Sequence, residues 1–271
     1  MIKNWALLFC LAPTHCLWGA FDFPAGSTRN AAVANSHISS TRSIEAFLIN
    51  PALSVNNDQI FGKLCYYRLF NLKELTHSTG IIAFRIAKFN WGIAVHSLGD
   101  QIYRENKITM NFSKLVYHHK LSIGLSLNYY LLNVINYDNM NTMGIDLGIR
   151  YQISSNFWMG MAIANLNQPK LNGYSEEIPQ TIHLGLQYEV LNPLLFHFSV
   201  QKDAWFTPSL SLAVEYNISN YLEISTGFNS DANMPTGGIV INIAQLKFDY
   251  AIQYHFDLGP THFFGIAYAP I

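Results

Sequence analysis

Residues 121–130 read LSIGLSLNYY and residues 143–151 read MGIDLGIRY, and in both every second side chain is apolar. Ile123, Leu125, Leu127 and Tyr129 fall on one face, with Ser122, Gly124, Ser126 and Asn128 on the other. In the second stretch Ile145, Leu147, Ile149 and Tyr151 oppose Gly144, Asp146, Gly148 and Arg150. Successive side chains of a strand point to opposite faces, so a strict period of two reads as β-structure. The same pattern returns around Ile182 to Glu189, Leu210 to Asn217 and Leu246 to His255. It predicts strands over 59–70, 78–88, 90–99, 106–118, 120–133, 141–153, 156–166, 179–190, 194–202, 207–217, 220–229, 234–244, 246–256 and 261–270. Segments of about ten residues suit strands that cross a bilayer at a tilt.

The links between these strands alternate in length. Those after even-numbered strands are very short, near Phe89, His119, Ser154-Ser155, Leu191-Asn192-Pro193, Ile218-Ser219 and Gln245. Those after odd-numbered strands are longer: Asn71 to His77, Asp100 to Glu105, Val134 to Met140 and Asn167 to Ile178. Short turns at one end and longer loops at the other are the pattern of an outer-membrane barrel, with the short turns periplasmic. Composition agrees. Charged residues are 12% and hydrophobic ones 50% of the 271, yet the longest apolar candidate, Gly80 to Val95, is broken by Arg85, Lys88 and Asn90. An apolar chain with no spanning helix can satisfy its backbone in lipid only as a closed sheet. The predicted fold is therefore all-β: a closed antiparallel transmembrane β-barrel of about fourteen strands.

The apolar face, often ending in Tyr (Tyr151, Tyr188, Tyr216, Tyr254, Tyr268), is expected to meet lipid, with the rings at the interfacial girdle. The opposite face is expected to be the lumen, since a charge toward lipid costs roughly 2–4 kcal/mol at the midplane. Its candidate polar groups are Asp146, Arg150, His183, Glu189, Glu215, Lys247 and Asp249, with Glu223 beside them. Charges of both signs argue against a strongly ion-selective pore. On this reading Leu147→Arg is costly and Gly148→Ser is mild.

Upstream of the barrel, Lys3, the apolar run Trp5 to Ala12 and the small residues of Trp18-Gly19-Ala20 read as a secretory signal peptide over 1–20. Cys10 and Cys16 lie in it, so Cys65 alone remains, read as a small packed side chain. Residues 21–58 do not alternate and read as a loop with at most one short helix, either a disordered periplasmic tail or, favoured by its Ala, Ile, Phe and Val content and few charges, a plug or hatch segment ahead of a barrel over 59–271. Asn50 precedes Pro51, which pushes its backbone to an extended shape and leaves its amide to cap a local turn, with Arg150 or Asp249 as candidate partners.

Three stretches carry a resemblance. GSTRNAAVANSHISSTRSIEAFLINPALS (26–54) is similar to the N-terminal segment of the long-chain fatty-acid transporter (FadL) superfamily and its PorV/PorQ branch. GIDLGIRYQISSNFWMGMAIANLNQPKL (144–171), followed by EEIPQTIHLGLQYEV (176–190), resembles that branch's mid-barrel hairpin and next strand. FDYAIQYHFDLGPTHFFGIAYAPI (248–271) resembles its last hairpin. The resemblance implies a hatch motif at Asn50, Pro51 and Ala52, and the outer membrane of a Gram-negative-type bacterium. It implies passage of small hydrophobic molecules or, alternatively, a scaffold or accessory role in protein secretion. The partners it implies are outer-membrane lipid, the barrel-assembly machinery, and a hydrophobic ligand or secretion-system proteins.

Other chemistry is not expected. A formal net charge of −1 offers no basic surface for nucleic acid. No Gly-x-Ser-x-Gly elbow occurs; Gly124-Leu125-Ser126-Leu127-Asn128 is an alternating strand. Adjacent His118 and His119 point to opposite faces of a strand end. His183 and His197, either of which could meet Glu189 or Glu215, read as a lumen hydrogen-bond network. No enzyme activity, cofactor or metal is expected.

Overall fold

The structure is a computed structural model that describes residues 20–21, 26–56, 60–117, 120–171, 177–204, 206–231 and 233–269. The expected signal segment up to residue 19, and the His118-His119 pair, lie outside the described residues. Fourteen strands follow one another: β1 Phe61–Arg68, β2 Thr76–Ile86, β3 Phe89–Gly99, β4 Tyr103–Val116, β5 Leu121–Val134, β6 Met140–Ser154 and β7 Phe157–Ala164. Then come β8 Thr181–Leu191, β9 Leu194–Asp203, β10 Ser209–Ser219, β11 Leu222–Asn229, β12 Met234–Ile243, β13 Leu246–His255 and β14 Gly259–Tyr268.

Each strand pairs antiparallel with its sequence neighbours, and β1 closes on β14 from Gly62↔Tyr268 to Arg68↔His262. No edge is left unpaired, the condition for a sheet that lives in lipid. The links after β2, β6, β8, β10 and β12 are two residues each, whereas that after β7 runs from 165 to 180. The strand count matches the expectation, and the link lengths alternate as expected except after β4, whose link (117–120) is longer than those after β3 (100–102) and β13 (256–258). Boundaries shift by a few residues. The largest change is at β4, which begins at Tyr103, so the loop read over 100–105 shrinks to 100–102. Asp100 Oδ1 accepts the N–H groups of Ile102 and Tyr103 at 2.8 and 3.2 Å, turning the chain sooner than composition suggests.

The faces divide as the alternation predicts. Leu64, Ile82, Leu147, Ile149, Leu212 and Phe264 are exposed on the outside, while Ser122, Ser126, Asn128, Asp146, Arg150 and Glu215 are buried within. Among the described residues no helix is long and apolar enough to cross a membrane. Cys65 is buried and free.

Residues 26–56 hold one short helix, α1 (Thr28–Ala32), capped by Ser27 Oγ accepting the Asn30 N–H at 3.2 Å. Two 3₁₀ turns follow, Glu45–Leu48 and Pro51–Asn56. Small residues (Ser27, Ala31, Ala32, Ser36, Ser39, Ser40) keep this path thin, and all are buried.

Candidate functional site

The N-terminal segment lies against inward-facing residues of strands all around the barrel, and glycine makes its close approaches feasible. A Cβ on Gly92 of β3 would stand 2.9 Å from the Phe47 ring, and one on Gly265 of β14 would stand 2.8 Å from Thr28 Oγ1. At Gly124 the added atom would strike the Pro51 carbonyl, at Gly160 the Ile38 carbonyl, and at Gly238 the Ala32 side chain. Gly148 faces inward as predicted, but its Cβ would collide with Asn50 Oδ1. The expectation that Gly148→Ser is mild is therefore corrected: the space beside it is filled by a segment about a hundred residues upstream, which local pattern does not reveal.

Asn50 anchors the turn at its proline. Its Oδ1 accepts the Ala52 N–H at 3.0 Å, and its Nδ2 donates to the carbonyls of Ile38 (2.6 Å) and Ile149 (3.1 Å). Pro51 opens the second 3₁₀ turn, and Ala52 is fully buried. Of the two partners suggested for this turn, Arg150 donates Nη1 to the Ser40 carbonyl at 3.1 Å, and Asp249 accepts from Lys63.

Ion pairs tie the segment to the wall at three places. Lys63 of β1 donates to Glu45 of the segment at 2.5 Å and to Asp249 of β13, all three buried. Arg29 pairs with Glu223 (2.6 Å) and Glu215 (3.3 Å). Arg42 pairs with Glu189 at 3.3 Å and donates to the Asn192 carbonyl beside a two-residue turn. In these three ties each charge meets an opposite one, which is what makes its desolvation tolerable. Glu215 also receives two imidazoles, His37 Nε2 at 2.8 Å and His197 Nε2 at 3.3 Å.

Above the segment, toward the longer loops, a cavity of about 240 Å³ remains. Phe21, Leu48 and Ile49 belong to its lining, together with wall groups that include His96, Lys107, Tyr130, Asp146 and His183. Asp146 is fixed by Asn128 Nδ2 at 2.6 Å and the Asn165 N–H at 2.8 Å. Phe21 stands edge-on to Tyr130, ring centroids 4.9 Å apart. His183 lines this cavity, whereas His197 lies under the segment against Glu215, so the two histidines serve different places. Lys247 is partly buried on β13, two residues from Asp249. Sequence reading missed Arg29, His37, Arg42, Glu45 and Lys63. The available signal was the presence of these charges in an otherwise weakly charged region.

No protein-family model matches the chain. No curated protein matches its sequence. Solved structures share the fold. A TodX monoaromatic hydrocarbon channel (a deltaS2S3 mutant) superposes with TM-score 0.69 at 11% identity, covering 89% of this chain and 98% of that one. The Pseudomonas putida toluene transporter TodX gives 0.66 at 11% identity, covering 91% and 97%. A Pseudomonas aeruginosa FadL homologue gives 0.66 at 10% identity, covering 90% and 98%.

Proposed function

We propose that this chain is a non-enzymatic outer-membrane channel whose residues 21–58 act as a hatch across the short-turn half of the lumen. One observation carries the reading: the segment reaches inward-facing residues on opposite sides of a closed barrel, with a vestibule on the loop side. An apolar outer face and a sheet without edges support placement in the outer membrane. The solved neighbours that carry hydrocarbons support passage of small hydrophobic molecules. The vestibule narrows that class. Its aromatic and aliphatic residues are set among Lys107, Asp146, His96 and His183, so it suits a compact ring or short chain bearing a polar group.

Removal of a signal peptide after Ala20 fits the same picture. The Phe21 nitrogen lies 2.7 Å from Glu105 Oε2, and Glu105 is buried. A cut there would turn that nitrogen into an ammonium and match the buried carboxylate with a charge.

The test compares the intact chain, whose mass should correspond to a start at Phe21, with a form lacking residues 21–56. Both are refolded into liposomes. The shortened form is expected to stay a heat-modifiable barrel with raised permeability to small solutes. A folded shortened barrel no more permeable than the intact one would remove the hatch and favour the competing proposal, a scaffold for secretion-system proteins.

A further inference from the structure

The cluster around Glu215 holds more than an ion pair needs. His37 from the N-terminal segment, His197 of β9 and Glu215 of β10 are all fully or almost fully buried, and their donor atoms lie within 4.8 Å of one another. Both imidazoles turn Nε2 toward the one carboxylate, His37 on Oε1 at 2.8 Å and His197 on Oε2 at 3.3 Å. Tetrahedral zinc with bonds of about 2.0–2.1 Å sets its ligand atoms about 3.3 Å apart, so small movements would seat such an ion here.

The hydrogen-bond pattern points the same way. His37 Nδ1 lies 3.3 Å from Asn30 Oδ1, an acceptor that takes an N–H. With its proton on Nδ1, neutral His37 turns the Nε2 lone pair on Glu215 Oε1, and two acceptors face each other. A divalent cation between them removes that conflict. The Asn30 contact is then the outer hydrogen bond that metal-bound imidazoles commonly make, fixing tautomer and ring orientation. Arg29 is the nearest competing cation, with Nε 3.3 Å from Glu215, but Glu223 matches its charge at 2.6 Å. One carboxylate charge therefore remains for an ion held by two neutral imidazoles.

We infer that His37, His197 and Glu215 form a binding site for a divalent transition metal of the zinc class, which fastens the N-terminal segment to the β9–β10 wall. The inference rests on the hatch reading for its consequence, but its readout is ion binding and needs no transport. Burial closes the site to substrates, so its role is a structural tie.

The test uses the full chain in detergent, free of a polyhistidine tag and stripped with chelator, titrated with Zn²⁺ alone and with Co²⁺ alone. One ion per barrel is expected, with a visible cobalt band of a tetrahedral nitrogen–oxygen site. His197→Gln and Glu215→Gln should abolish the band, and Asn30→Ala should weaken affinity about tenfold or more. Heat-modifiable mobility shows which variants are folded. Absence of saturable binding in the intact barrel would overturn the inference and leave the cluster a hydrogen-bond network around Glu215. Binding that persists undiminished in folded His197→Gln and Glu215→Gln barrels would overturn it equally. If the deletion of residues 21–56 fails to raise permeability while the intact chain, which keeps His37, still binds the ion, the hatch reading falls and the metal site stands.

Discussion

Leu147 and Gly148 are neighbours on β6 and meet different surroundings. Leu147 points outward, 41% exposed in the protein alone, where lipid would cover it. Leu147→Arg is expected to cost roughly 2–4 kcal/mol if it sits near the midplane, read as a lower denaturant midpoint for the refolded barrel. Gly148→Ser is expected to cost about 1–3 kcal/mol because the new Cβ meets Asn50 Oδ1 and the Pro51 ring. The second penalty belongs to the N-terminal segment and not to the wall. It should disappear when the same substitution is made in a barrel lacking residues 21–56, a coupling that a double-mutant cycle reads directly. An undiminished penalty in the shortened barrel would mean that the glycine is required by the strand itself. The outward half of this pair was legible in the sequence because lipid on one face enforces a period of two. The inward half was not: a lumen glycine looks the same whether it faces water or a packed carbonyl.

Whole elements were legible for a similar reason, and the junction between elements was not. Most link lengths alternate because two-residue turns close one end of the barrel after β2, β6, β8, β10 and β12, so the strand count followed from the period of two and the spacing of the turns. The tie between β1 and the N-terminal segment depends on Lys63, Glu45 and Asp249, widely separated in the chain, and no local pattern joins them. Lys63 sits opposite Ala267 in the closing β1–β14 pair, so it also stands at the seam of the barrel. Lys63→Met would leave two buried carboxylates without a cation, a loss of about 3–5 kcal/mol where a buried pair is broken from one side. The barrel has its own closed ladder, so the weaker element should give way first. The expected outcome is a segment that becomes sensitive to protease while the barrel keeps its heat-modifiable mobility. Equal protection of residues 26–56 in the variant and the parent would show that this ion triad does not hold the segment.

At the scale of the molecule, the charges of wall and segment balance in a way that predicts the behaviour of the opened lumen. Along the wall, Lys63, Lys107, Arg150 and Lys247 are among the residues that face inward, with Glu105, Asp146, Glu189, Glu215, Glu223 and Asp249. The segment brings Arg29 and Arg42 against Glu45, each paired with a wall residue. With the segment in place, wall carboxylates are neutralised by its cations. Without it, carboxylates outnumber ammonium and guanidinium groups in a lumen that water can now enter. Mixed signs along the wall keep the local potential low, and at physiological salt a Debye length of about 8 Å screens much of what remains. A barrel lacking residues 21–56 should therefore conduct with a weak cation preference, seen as a small reversal potential in a potassium chloride gradient that shrinks further as salt rises. Glu215→Gln in that background removes one uncompensated carboxylate and should reduce the preference. A strong anion preference would contradict the inward assignment of these carboxylates, and with it the face on which β10, β11 and β13 present them.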